Sequence, residues 1–445
     1  MLPVVLLSLS VVFIVISTTR WRLHPFLALL LAAIGFGLAA RMSLAEIVGA
    51  IKGGFGGTIG NVGIIIIAGT IIGVFLEKSG GAFAMAESIL RRIGRRRVPM
   101  AMSMIGYVTA IPVFADSGYV IFAPLNRALT KRAGLSLATT SIALALGLMV
   151  SHTLIPPTPG PIVAAGILGA DLGRVLAIAI PISLVVLAFS YLWAIQVASR
   201  VRIDPNPELD EAAIQQSLKD APSAVRSFIP ILLPLVLILL QSVSKIPARP
   251  FGEGNLAGLI EFLGDPVIAL LVGMSVAFTL PKKFDRGMLD QSGWVGQAVL
   301  GAAVIIFITG AGGAFGRVLQ DSGMAARVGD LLSGLGLGLW LPFVISAAIR
   351  AAQGSATVAI ITTAGLILPM LPTLGLDSET GRALAVVSIG SGALFASHAN
   401  DSFFWLVTQM SGMNPKTGYK LLTGGSTLMA LLSGTLVWIA GRILL

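Results

Sequence analysis

Polar residues are sparse along this chain, and their spacing marks out its elements. Continuous apolar stretches of about 18–20 residues recur from near the N-terminus to the C-terminus, each long enough for a helix to cross the hydrocarbon core of a bilayer. The runs are unbroken rather than alternating, which argues against a membrane β-barrel. They predict an all-α polytopic membrane protein with about ten full spans. Residues 2–19 lack a basic leading stretch and a small-residue cleavage site, so they read as a first span and not as a removed signal.

The pattern also repeats. AGTIIGVFLEKSGGA (68–82) aligns without gaps with AGGAFGRVLQDSGMA (311–325) at an offset of 243, matching Gly69 to Gly312, Gly73 to Gly316 and Leu76 to Leu319. Two Ser-His pairs, Ser151-His152 and Ser397-His398, follow at an offset of 246 and hold two of the chain's 3 histidines. The stretch 77–98 carries six Lys/Arg (Lys78, Arg91, Arg92, Arg95, Arg96, Arg97), whereas the corresponding 317–337 carries only Arg317 and Arg327. Basic loops stay in the cytoplasm, so the two halves are expected to have opposite orientation, as inverted repeats of secondary transporters do. The expected layout is a first repeat over 1–198, a polar cytoplasmic linker over 199–227, and a second, inverted repeat over 228–445.

Interruptions in the apolar pattern place a site. Only 29 residues separate Arg97 from Arg127, too few for two crossings of about 20 residues each, and both flanks are basic. A re-entrant hairpin near 98–130 resolves this, with its tip at Ile111–Gly118; symmetry puts a second hairpin near 338–372, tipped at Gln353–Thr357. A broken helix follows each: near 135–170 at Pro156–Pro161, where helix cannot continue, and near 383–410 at Asn400-Asp401-Ser402. Unpaired backbone at membrane depth is tolerated where it lines a cavity or is buried in protein.

Candidate chemistry falls at these interruptions. Asp116 is the only acidic residue between Glu87 and Asp171; an intramembrane acid is a functional candidate, and a helix-capping role can coexist with that. His152 and His398 could line the site or bond a backbone carbonyl across helices. Asn400 and Asp401 add an amide and a second carboxylate, or act as caps. Gly354, Ser355 and Thr357 offer hydroxyls and free N–H groups at a helix start, an anion cradle, or simply small-residue packing. Arg350 precedes that tip and could attract an anion, pair with an acid or snorkel. Glu77 reads as a turn cap, since its match in the other half is Gln320.

Composition narrows the classes. The chain is 56% hydrophobic and 11% charged, with mean hydropathy +0.93. Its net charge of +10 sits between apolar runs and not on a soluble basic domain, so no nucleic-acid partner is expected. The absence of cysteine removes thiolate chemistry and thiolate metal sites. No HExxH, P-loop or G-x-S-x-G occurs, so no enzyme is expected.

At PVFADSGYVIFAPL (112–125), SHTLIPPTPGPIVAAGILGADLG (151–173), GSATVAIITTAG (354–365) and SHANDSFFWLV (397–407), and in the Glu77–Ala82 stretch, the sequence resembles the gluconate permease family of proton symporters. That resemblance implies proton-driven uptake of gluconate or a related small hydroxy-acid across the bacterial cytoplasmic (inner) membrane. Its broader ion transporter superfamily implies inverted repeats, elevator motion and a homodimer. No cofactor is implied; the coupling ion is the proton, with Na⁺ left open by the carbonyl-rich breaks. On this reading the substrate's carboxylate meets the half-helix starts at Gly354, Ser355 and Thr357. Its hydroxyls meet Ser117, His152, Asn400 and neighbouring hydroxyl groups, Thr158 and His398 count among the substrate-binding residues, and Asp116 or Asp401, alone or with a His, takes the proton. One departure stands out: many family members have Pro-Pro-His-Pro-Gly-Pro where this chain has Thr158 between Pro157 and Pro159. Thr158 keeps a hydrogen bond but loses a titratable ring, which bears on gluconate itself more than on transport.

Overall fold

The ends of the long apolar segments show why they fold as helices. Ser43 opens helix α3 (Leu44–Lys78) with a capping box: its hydroxyl accepts from the Glu46 N–H at 3.2 Å, and the Glu46 carboxylate accepts from the Ser43 N–H at 2.8 Å. Serine likewise caps the helices beginning at Leu137, Ala224 and Glu379, satisfying donors that have no partner within the helix. A computed structural model describes residues 2–94, 97–205, 221–245, 250–323, 337–398 and 401–445, and all regular structure among them is helical.

The first half runs through α1 (Leu2–Thr19), α2 (Pro25–Ala39), α3, α4 (Gly81–Ile93), α5 (Val98–Thr109), α6 (Ala115–Ala133), α7 (Leu137–Leu154), α8 (Pro159–Leu168) and α9 (Leu172–Gln196). The second holds α10 (Ala224–Ser244), α11 (Asn255–Gly264), α12 (Pro266–Ala277), α13 (Trp294–Asp321), α14 (Trp340–Gln353), α15 (Ala356–Ile367), α16 (Glu379–Ala393), α17 (Ser402–Met410) and α18 (Pro415–Leu444), the last with a π turn at Tyr419–Thr423. Among the described residues 6 helical stretches are long and apolar enough to cross a membrane. The α11–α12 pair, bent by 70°, can make a seventh, and α2, α5 and α15 are shorter apolar helices. Of the expected linker 199–227, residues 206–220 lie outside the described residues, and α10 already begins at Ala224 within it.

Helix-turn-helix pairs stand where hairpins were expected: α5 and α6 joined through 110–114, and α14 and α15 joined at Gly354. Gly354 has φ +84, a left-handed turn that glycine adopts without strain. Each pair precedes a helix that breaks, α7 before α8 and α16 before α17.

The core gathers around α7 and α16. Every residue of α7 except His152 is buried. Small residues let α5 press against α7: a Cβ on Gly147 would sit 2.3 Å from the Ser103 carbonyl oxygen, and one on Gly106 2.5 Å from that of Leu144. In the second half the Ser346 hydroxyl of α14 donates to the Ile389 carbonyl of α16 at 2.7 Å. These contacts fix where each helical pair turns.

Candidate functional site

Three helix starts and two helix ends meet around one cavity of about 280 Å³, near the small end of ligand pockets. The starts are those of α6 (Ala115, Asp116), α15 (Ser355, Thr357) and α17 (Asp401, Ser402); the ends are those of α7 (His152) and α14 (Arg350, Gln353). The first N–H groups of a helix have no intrahelical acceptor, and the aligned peptide dipoles give that end partial positive charge. Three such ends around one small void favour an anion.

A buried ion pair forms one wall. Arg350 and Asp401 are 3% and 5% exposed, and Arg350 Nη2 donates to Asp401 Oδ2 at 2.5 Å. Arg350 Nε donates to the Ala393 carbonyl at 3.1 Å. The same Oδ2 also accepts from the Ser397 hydroxyl. Oδ1 accepts from the Phe403 N–H at 3.0 Å, capping α17. Both carboxylate oxygens are therefore engaged, as burying a charge requires.

The wall leaves polar atoms unmatched. Among the described residues, Arg350 Nη1, Gln353 Nε2 and His152 Nδ1 are buried without a hydrogen-bond partner, and all three residues line the cavity. Such groups are rare, because each carries the cost of losing water without replacement. The arginine and amide nitrogens are donors, and the imidazole nitrogen can be one. An oxygen-rich molecule in the cavity would satisfy them together.

Asp116 occupies a different position. It is exposed despite its apolar surroundings, because a second cavity meets the first there; Asp116 and Ser402 line both.

Of the residues singled out from sequence, Asp116, His152, Gly354, Ser355, Thr357 and Asp401 share the first cavity. Ser117 lines the second. Thr158 is buried at the α7–α8 break, where its hydroxyl donates to the Ile155 carbonyl at 2.6 Å; it lines a smaller pocket beside His152. His398 stands behind the wall, its Nε2 at 2.8 Å from the Ala351 carbonyl oxygen. A carbonyl only accepts, so Nε2 carries the hydrogen there. Asn400 lies outside the described residues. Gln353 was not among the sequence candidates, although it is the only side-chain amide in 338–372, and Arg350 was left undecided between three roles.

The GntP family permease model matches residues 2–443. The chain belongs to the GntP permease family. This permease is 34% identical over 431 residues to the gluconate permease of Pseudomonas aeruginosa, covering 95% of this chain and 93% of that one. It is 32% identical over 414 residues to the high-affinity gluconate transporter of Escherichia coli K12, covering 91% of each. With the D-serine transporter DsdX of the same organism it shares 32% over 421 residues, covering 94% of this chain and 93% of that one. Its fold is similar to that of the Alcanivorax borkumensis YdaH transporter, with TM-score 0.60 and 17% identity, covering 94% of this chain and 99% of that one. It is a membrane transporter of the bacterial inner membrane and not an enzyme.

Proposed function

We propose that this permease takes up a small hydroxy-carboxylate, gluconate or a related acid, together with a proton. The observation that carries this reading is the set of three buried nitrogens, on Arg350, Gln353 and His152, that have no partner among the described residues and surround one cavity at three helix starts. A carboxylate answers Arg350 and the helix N–H groups; hydroxyls answer His152, Gln353, Ser355 and Thr357. Relatives named for gluconate, L-idonate and D-serine handle molecules that carry a carboxylate close to a hydroxyl, in keeping with this recognition.

Charge supports the proton. Arg350 and Asp401 offset one another, so ionised Asp116 leaves the cavity with a net negative charge that opposes an anion. Protonating Asp116 removes that opposition. One proton moving with one monovalent anion transfers no net charge. The driving force is then the pH gradient, about 1.4 kcal/mol per pH unit, and not the membrane potential.

The matched sequence blocks and the unequal basic loops support two inverted repeats. On that frame α5–α6 and α14–α15 are re-entrant hairpins that carry the site across the membrane in an elevator motion, within a homodimer. Proteoliposome uptake and counterflow of gluconate, L-idonate and D-serine test the proposal. The expected result is saturable counterflow with an imposed pH gradient driving accumulation. Uptake that follows Na⁺ at fixed pH would replace the proton by sodium; flux without counterflow would replace the carrier by a channel.

A further inference from the structure

The second cavity, of about 390 Å³, is lined by Glu77, Ser117, Val120, Ile121 and Leu406, and by the two residues it shares with the first, Asp116 and Ser402. Apart from Asp116, the binding site proposed above uses none of its side chains, Ser117 included. The two cavities differ in chemistry: the first presents Arg350, His152 and unmatched donors, whereas the second presents the Glu77 and Asp116 carboxylates, two hydroxyls and an otherwise apolar wall. Asp116 is the only titratable residue lining both.

Glu77 stands at the end of α3, half-buried, and among the described residues its carboxylate accepts no hydrogen bond. The helix is closed without it, by Ser79 as C-cap residue, so the turn-capping role expected from sequence does not occupy its side chain. The matched position of the other half is Gln320, which has the same shape and no exchangeable acid proton. The frame therefore tolerates an amide at this point, and the acid stands only where a cavity joins it to Asp116.

We propose that Glu77 is a proton relay, passing the proton carried by Asp116 through the second cavity on a route separate from that of the substrate. This rests on Asp116 as proton carrier. The Glu77 and Asp116 carboxylates and the Ser117 and Ser402 hydroxyls give water polar partners along a cavity otherwise walled by Val120, Ile121 and Leu406, and the proton moves from the Asp116 carboxyl through that water to the Glu77 carboxylate and on to bulk. The charged and titratable groups facing Asp116 are Arg350, Asp401 and His152, all on the first cavity; the cation that acts on Glu77 is its chain neighbour Lys78, and among the described residues no Lys or Arg lines the second cavity. Lys78 adjoins Glu77 in the chain, and the basic residues that follow it, Arg91 and Arg92 among them, put this end on the cytoplasmic side. Release is therefore inward.

The test uses the full chain in proteoliposomes with radiolabelled gluconate, L-idonate and D-serine. Net uptake requires the proton to leave in every cycle, whereas counterflow exchanges substrate without deprotonation. Glu77→Gln is expected to slow pH-driven net uptake by about 100-fold while leaving counterflow unchanged, and Glu77→Asp to restore part of the loss. Equal effects of Glu77→Gln on both, or an effect on neither, would overturn the relay; an unchanged thermal unfolding midpoint shows that the variant is folded. Asp116→Asn separates the two levels of the argument. If it keeps the response to pH, proton carriage by Asp116 fails and the relay with it. If it loses that response while Glu77→Gln behaves as wild type, only the relay fails. A wild type that exchanges none of the three acids overturns both.

Discussion

Asp401→Asn would leave Arg350 charged, 3% exposed and without its counter-ion. The substitution is narrow, because an asparagine carbonyl can still accept from the Phe403 N–H and keep the α17 cap. What is lost is the ionic contact to Nη2 and the strong acceptor for Ser397. Removing one partner of a buried pair costs about 3–5 kcal/mol, so the unfolding midpoint should fall by many degrees. The same variant should respond more strongly to substrate, since an anion in the cavity now supplies the missing charge. Ligand at about 100 times its Kd stabilises a native state by about 2.7 kcal/mol, and at a fixed concentration the variant should gain more than the wild type does. Tighter holding slows release, so KM and maximal uptake should fall together. Thermal unfolding in detergent with and without gluconate, beside initial uptake rates, measures both. Wild-type stability together with a wild-type ligand shift would refute the reasoning: the pair would then hold no buried charge in balance, and Arg350 would not be the anion's anchor. The double variant Arg350→Met with Asp401→Leu should regain much of the stability, as apolar replacements of buried pairs do, and transport nothing.

Gln353→Leu removes a buried amide nitrogen that has no partner; stability should hold or rise, because no bond is lost, while KM for the hydroxy-acid rises, read by unfolding and uptake on one preparation. Gly73→Ala would bring a Cβ to 2.2 Å from the Pro112 carbonyl oxygen at the α5–α6 turn, displacing backbone at a cost of about 1–3 kcal/mol and depressing uptake. His152→Ala should raise KM, since the ring lines the cavity, whereas His398→Ala should cost about 1 kcal/mol of stability through the lost Ala351 contact with little change in KM. Equal effects of the two on KM would refute the placement of His398 behind the wall.

Helix positions and interruptions were legible because they follow from apolar run length, serine caps and proline, all local signals. Within the stretches 135–170 and 383–410, α7 ends at Leu154 before α8 starts at Pro159, and α16 ends at Ala393 before α17 starts at Ser402. The pairing of Arg350 with Asp401 was not legible: they stand 51 positions apart, and only the packing of α14 on α16 brings them together. The twin Ser-His pairs show the same limit. Equivalent in sequence, they differ in surroundings, His152 on the cavity and His398 on backbone behind it. Gln353 was hidden because a single amide before a glycine reads as a helix end, and its missing partner exists only in three dimensions.

Chain order makes the chemical asymmetry of the site explicit. The residue opening the helix after each break is Thr158 in one half and Asp401 in the other; the second residue of the helix after each hairpin turn is Asp116 in one and Thr357 in the other. Each half thus supplies one acid, at non-equivalent positions, and only the second supplies a cation to neutralise its own. Among the described residues Asp116 is left as the acid without a counter-ion contact, facing whatever Arg350 holds. If substrate and Asp116 were both ionised about 6 Å apart, an effective dielectric of about 20 gives a repulsion of about 3 kcal/mol, a factor of about 100 in affinity. Proton and substrate then favour one another by the same factor, which is the coupling that a symporter needs and which no symmetric arrangement of neutralised pairs would supply. Calorimetric binding of gluconate across pH should show affinity falling as pH rises in the wild type and staying flat in Asp116→Asn. A parallel fall in both proteins would place the coupling proton elsewhere than on Asp116.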